Sequence, residues 1–156
     1  MRTRQKGFSL IELLIVVAII LIIAAIAIPN LLRSRMAANE ASAVGSIRTI
    51  NTGLVTYAAG CPNLGFAATL PELNTGALCA SGTGIIDAVL SAGTKSGYGF
   101  TYAAGAAVNG VVNTYTVAAD PSTRGTTGQR SFFSDQTGVI RYNQAAAATA
   151  ASAPLQ

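Results

Sequence analysis

Histidine and tryptophan are absent from this 156-residue chain, and only 10% of its residues are charged. Without imidazole there is no Ser-His-Asp triad, no histidine metal ligand and no Cys-x-x-Cys-His haem attachment, which closes most nucleophilic and metal-assisted chemistry. The only two cysteines, Cys61 and Cys79, do not make four metal ligands without histidine or a close acid cluster. The acids are few as well: Glu12, Glu40, Glu72, Asp87, Asp120 and Asp135. Calcium wants six or more oxygens with several carboxylates among them, and six scattered acids do not supply such a site, even if Asp120 and Asp135 come near one another. A serine or threonine nucleophile would have only Lys95, a carboxylate or an amine as its base, and no such constellation is present. No cofactor is expected, and the chain is not expected to be an enzyme.

Ten bases give a net charge of +4 and a pI near 9.4, but Arg2, Arg4 and Lys6 sit in the first six residues. Beyond Gly7 the balance is seven bases to six acids, so the basic pI describes mainly a short leader. A nucleic-acid partner is weakly supported by such a balance. Arg124 and Arg130, in a Gly/Thr-rich stretch, are the only candidate phosphate contacts; as ordinary surface residues they would simply be solvated.

Apolar residues are abundant, and they are concentrated. Leu10 to Ile28 is apolar at every position except Glu12. Nineteen helical residues span roughly 28 Å, enough for a hydrocarbon core of about 30 Å. Arg2, Arg4 and Lys6 precede the run with no acid among them, so the positive-inside bias puts the N-terminus in the cytoplasm and the rest outside. A cleaved secretory signal is the competing reading, yet this run is longer than a usual signal core and continues past Pro29 into another helical pattern. Leu32, Met36, Val44, Ile47, Ile50 and Leu54 recur at three- and four-residue spacings or their sums, with Arg33, Arg35, Glu40 and Arg48 between them. One helix over about 8–58 is expected, greasy in front and amphipathic behind.

The residues from Lys6-Gly7-Phe8-Ser9-Leu10-Ile11-Glu12 to Ala27-Ile28-Pro29 closely resemble the N-terminus of type IV prepilins, a motif shared by the type IV filament superfamily with its type II secretion pseudopilins and competence pilins. The resemblance implies cleavage between Gly7 and Phe8 by a prepilin peptidase on the cytoplasmic side, N-methylation of the new Phe8 amine by an N-methyltransferase, and assembly into a helical filament. Further partners implied are other copies of the chain, the inner-membrane pilus assembly platform, and the bacterial inner membrane before export to the cell surface. Leu21 departs from the family, in which many members carry glycine there, and this makes melting of the helix before Pro29 on assembly less certain.

The chemistry of these positions is consistent with that expectation. Gly7 lacks a Cβ, so the chain can enter a narrow protease cleft in conformations closed to other residues. Glu12 is costly in hydrocarbon unless paired or near water. A neighbour's Phe8 amine about 4 Å away would attract it by roughly 4 kcal/mol at an effective dielectric of 20, enough to set register. Its own chain's amine is the alternative partner. Pro29 removes one helical hydrogen bond and should kink or loosen the helix.

Beyond Ala58 the composition turns to Gly, Ala, Ser, Thr and Asn, with turns expected at Cys61-Pro62-Asn63, Leu70-Pro71 and Asn74-Thr75-Gly76. Cys61 and Cys79 lie on the extracytoplasmic side, where oxidation is permitted, and a disulfide is expected, worth about 3 kcal/mol by loop entropy. A short helix is expected over 84–92. Strands are expected over 98–103, 111–118 and 131–142, the last broken by a turn at Asp135-Gln136-Thr137-Gly138. The fold class is therefore α+β: a long N-terminal transmembrane and amphipathic helix packed on an antiparallel C-terminal sheet of about four strands. Ile47, Ile50 and Leu54 should meet Phe100, Tyr115, Val117, Phe133 and Ile140. The organisation expected is a leader at 1–7, a membrane and filament-core helix at 8–29, a globular domain at 30–143 and a low-complexity tail at 144–156. The reading is a type IV pilus subunit, with a type II secretion pseudopilin or a DNA-uptake minor pilin as alternatives.

Overall fold

The computed structural model describes residues 8–75 and 84–155. Gly7, Gly76 and Cys79 fall outside the described residues. The chain divides into two units, Met1–Arg35 and Met36–Gln156.

In the first unit the described residues form the front of α1 (Leu10–Gly60). Its start is capped: the Ser9 backbone N–H donates to Glu12 Oε2 at 2.9 Å, and Leu13 N–H reaches Ser9 O at 3.2 Å. This is one half of the Ser-x-x-Glu capping box, which satisfies a donor the first turn would leave orphaned. α1 continues through Pro29 without interruption, because the Leu, Ile and Ala around it are strong helix formers or fully apolar and the lost bond is a single one.

The second unit is built on the rear of α1, which ends where Gly60 meets Cys61-Pro62. Two short helices follow, α2 (Leu70–Thr75) and α3 (Ala88–Ser91). The turns expected at Leu70-Pro71 and Asn74-Thr75 are instead parts of α2. Glu72 folds back to accept from Ala68 N–H at 2.8 Å and Thr69 Oγ1 at 3.2 Å, so proline lies in the first helical turn, where its missing N–H costs little. The helix expected over 84–92 shrinks to α3, started by Asp87, which accepts from Leu90 N–H at 2.8 Å.

The sheet is an antiparallel meander of six strands in the order β1 (Thr94–Lys95), β2 (Tyr98–Ala104), β5 (Tyr115–Pro121), β6 (Ser131–Asp135), β7 (Arg141–Asn143) and β8 (Ala153–Pro154). Between β2 and β5 a separate hairpin, β3 (Ala107–Val108) with β4 (Val111–Val112), turns through Asn109 and Gly110, both at positive φ. That dipeptide suits the type I′ hairpin turn, and it splits the single strand expected over 111–118. The hairpin is bonded to the loop after α1, with Phe66 N–H to Val112 O at 2.9 Å and Val112 N–H to Leu64 O at 2.8 Å.

The core lies between the rear of α1 and one face of the sheet, with Ile47, Ile50, Leu54, Phe100, Tyr115, Val117 and Ile140 buried as expected. The expected Phe133 is replaced there by Phe132, which is fully buried. Register decides this: Ala119 stands opposite Phe132 and Val117 opposite Ser134, so the inward face of β5 selects Phe132 and sends Phe133 to the other side. The tail departs further from expectation. Residues 152–155 return along β7: Ala153 pairs with Tyr142, Leu155 N–H donates to Ile140 O at 2.7 Å, and Arg141 Nη1 donates to Ser152 O at 3.1 Å. The polyalanine sequence carries no strand period of its own; an unfilled sheet edge supplies the pairing.

Candidate functional site

Every large apolar side chain from Leu10 to Ile28 is between 45% and 79% exposed. α1 is the one helix among the described residues long and apolar enough to cross a membrane. Phe8 stands just ahead of it at 75% exposure, one turn from Glu12. Glu12 bonds its own Ser9 N–H, so the carboxylate and Phe8 share one helix end. The Ser9-to-Glu12 spacing was readable as a capping box and gives Glu12 a second role beyond the one inferred from its charge. Pro29 lies within the helix in the same unit. Cys61 is buried at the end of α1. Its expected partner Cys79, like Gly7, is outside the described residues.

The candidate phosphate contacts are neither free nor merely solvated. Arg124 donates through Nη1 to the carbonyls of Gln129 and Gln144, the latter at 3.0 Å, and through Nη2 to Ser131 Oγ at 2.7 Å. Arg130 is locked to α1: its Nε donates to Glu40 Oε2 at 2.7 Å, while the backbone N–H groups of Gln129 and Arg130 donate to Glu40 Oε1 at 2.8 and 3.1 Å. The guanidinium also lies 5.6 and 5.7 Å from the ring centroids of Phe132 and Tyr142. Burial by itself would raise the Glu40 carboxyl, but the backbone donors of Gln129 and Arg130, and then the Arg130 side chain, outweigh it and hold the group below its ordinary value. These two arginines organise the loop between β5 and β6; local sequence could not show this, because their partners are up to 90 residues away.

A second polar tie holds the same face. Asn51 Nδ2 donates to the buried Ser134 Oγ at 2.8 Å, and Tyr115 OH donates to Asn51 Oδ1 at 3.2 Å. Tyr98 OH donates to Arg130 O at 2.8 Å, and desolvation, with the nearby Glu40 charge adding to it, pushes that phenol up to about 12. The aromatics are thus core and sheet residues, not an exposed stacking platform. Among the described residues no group of three or more acids or cysteines could hold a metal ion.

Residues 2–28 match the family model described as the prokaryotic N-terminal methylation motif. The chain is 69% identical over 35 residues to the type IV wide pilus major component PilA4 of Thermus thermophilus, covering 22% of this chain and 27% of that protein. It is 47% identical over 54 residues to the type IV major pilin protein PilA of Myxococcus xanthus, covering 35% and 24%, and 33% identical over 57 residues to the type II secretion system core protein G of Dickeya chrysanthemi, covering 36% and 37%. The matched stretches therefore span between about a quarter and two fifths of these curated relatives. No solved structure matches. With that motif, these relatives and a long apolar helix followed by an antiparallel sheet, the chain is similar at its N-terminus to type IV pilins and a type II secretion core protein and carries an α+β, pilin-like architecture.

Proposed function

We propose that the chain is the structural subunit of a type IV pilus, polymerised through the front of α1. The observation that carries this reading is the uncovered apolar surface from Leu10 to Ile28 with one carboxylate, Glu12, a turn from Phe8. A membrane covers such a surface before assembly, and other copies of the same helix cover it afterwards. Cleavage after Gly7 creates an amine at Phe8, and methylation keeps that amine cationic while making it less hydrated. In a water-excluding helical core the amine of one copy and Glu12 of the next satisfy each other. Transfer of Glu12 from its Ser9 cap to that amine is a local side-chain movement. Packing of the aliphatic residues from Leu13 to Ile28 supplies the assembly energy, with Ala18, Ala24, Ala25 and Ala27 permitting close approach. Pro29 is where the helix can yield if the subunit must extend.

The partners in this scheme are further copies of the chain, the prepilin peptidase and N-methyltransferase, and the inner-membrane assembly platform. The precursor rests in the inner membrane with its N-terminus in the cytoplasm, and the polymer lies outside the cell. A Cys61–Cys79 disulfide would close the loop that carries α2. Mass spectrometry of the mature protein tests the reading: a chain beginning at N-methylated Phe8 supports it, and one beginning after Ala27 or later makes the apolar run a discarded signal. The similarity to a type II secretion core protein favours a pseudopilin as the second reading; electron microscopy of sheared cells separates the two by the presence or absence of long shed fibres.

A further inference from the structure

In the second unit nearly every charge has a partner within the chain. Arg130 holds Glu40, Lys95 holds Asp87 at 2.9 Å, Arg124 and Arg141 hold backbone carbonyls, Glu72 caps α2, and Asp135 accepts from Thr137 N–H at 2.9 Å. Two opposite charges are left over. The side chains of Arg48, exposed on α1, and of Asp120, near the end of β5, make no hydrogen bond or ion pair among the described residues.

They cannot satisfy each other within one copy. Val117 and Ala119 point into the core beneath α1, so alternation along β5 puts the Asp120 side chain on the opposite face of the sheet. Its neighbour in register is Gly99, where an added Cβ would find only Asp120 O, at 4.0 Å, so the space beside the carboxylate is open. Arg48 borders a groove of about 290 Å3 lined by Thr49, Thr52, Gly53 and Ile85, with room for an incoming side chain. A helical polymer of identical chains requires a heterologous contact, in which one patch meets a different patch on the next copy. Complementary charges left over on two different surfaces meet that requirement.

We propose that in the polymer Arg48 of one copy pairs with Asp120 of a neighbouring copy, fixing the register of the outer layer. This rests on the homopolymer reading above. Arg33 and Arg35, which also lack partners, border the apolar run in the other unit and are the competing bases.

The full-length chain is expressed as the only pilin in a fibre-forming host, and sheared fibres are counted by electron microscopy and gel. Arg48→Glu and Asp120→Lys should each lower fibre yield at least about tenfold, because a like-charge contact is repeated at every subunit. The double variant, which restores opposite charges, should return to within about twofold of the parent. The milder Arg48→Gln and Asp120→Asn should fall between, and thermal melting of each detergent-solubilised subunit should match the parent, so that misfolding does not explain the loss. Undiminished fibres from the single variants, or failure of the double variant to recover, overturns the pairing. Rescue of Asp120→Lys by Arg33→Glu or Arg35→Glu instead of Arg48→Glu overturns the assignment of Arg48. Absence of fibres from the parent chain itself sinks the polymer reading, and the pairing with it; parental fibres indifferent to both charges sink the pairing alone.

Discussion

Glu40 and Arg130 are joined twice, through the Arg130 backbone N–H at 3.1 Å and through its Nε at 2.7 Å, which ties α1 to the start of β6 across 90 residues of chain. Glu40 is 8% exposed and its carboxyl is held below its ordinary value, so its contribution to stability is complete above about pH 5 and is lost as the pH falls through the lowered value. Glu40→Gln should cost about 1–3 kcal/mol at neutral pH and flatten the acid limb of the stability curve. Urea denaturation between pH 3 and 7 reads both effects, and an unchanged acid limb would refute the assignment.

Phe132 and Phe133 are adjacent, yet only Phe132 is fully buried. Phe132→Ala should cost about 3–5 kcal/mol, and Phe133→Ala far less. Thermal melting of the two variants measures the difference; equal losses would mean that the register of β6 is not Phe132 opposite Ala119.

Tyr98, Tyr102 and Tyr115 are all shifted upward, in each case first by desolvation, with Tyr98 at about 12. Groups raised in the folded state contribute stability that is intact below the unfolded value near pH 10 and declines as the pH rises through the folded ones. Ultraviolet titration should show phenolate formation from these rings delayed to the alkaline unfolding transition. Smooth ionisation of Tyr98, Tyr102 and Tyr115 near pH 10 with the fold intact would contradict their burial.

Glu12→Val should yield processed subunit that assembles poorly, since the Phe8 amine loses its counter-charge while the apolar surface is retained. Fibre counts beside immunoblots of the membrane fraction make the measurement. Normal homopolymer fibres from this variant would remove the charge-pair step.

Gly7→Trp should leave unprocessed precursor in the membrane, visible as a longer species by mass spectrometry. Mature subunit of normal size from that variant would contradict cleavage at this bond.

The long apolar helix, the lone Glu12 in its first turn and the strand-rich C-terminal half were legible because each rests on a local property: the length of an unbroken apolar run, a single carboxylate within it, and the alternation of β-branched and aromatic residues. Other local signals lie in the caps and turns. Ser9 with Glu12 and Thr69 with Glu72 are capping patterns, and Asn109-Gly110 is a hairpin signal.

What the sequence by itself determined is the apolar run, its lone carboxylate and the helix-then-sheet order, since these follow from composition and period within short windows. Only the tertiary structure decided that Phe132 and not Phe133 enters the core, that Arg124 and Arg130 are held by internal oxygens, and that the alanine-rich tail closes the sheet edge. Each of these depends on which distant strand or helix lies opposite. That is set by register and by the need to satisfy buried polar groups, neither of which any short stretch of sequence contains.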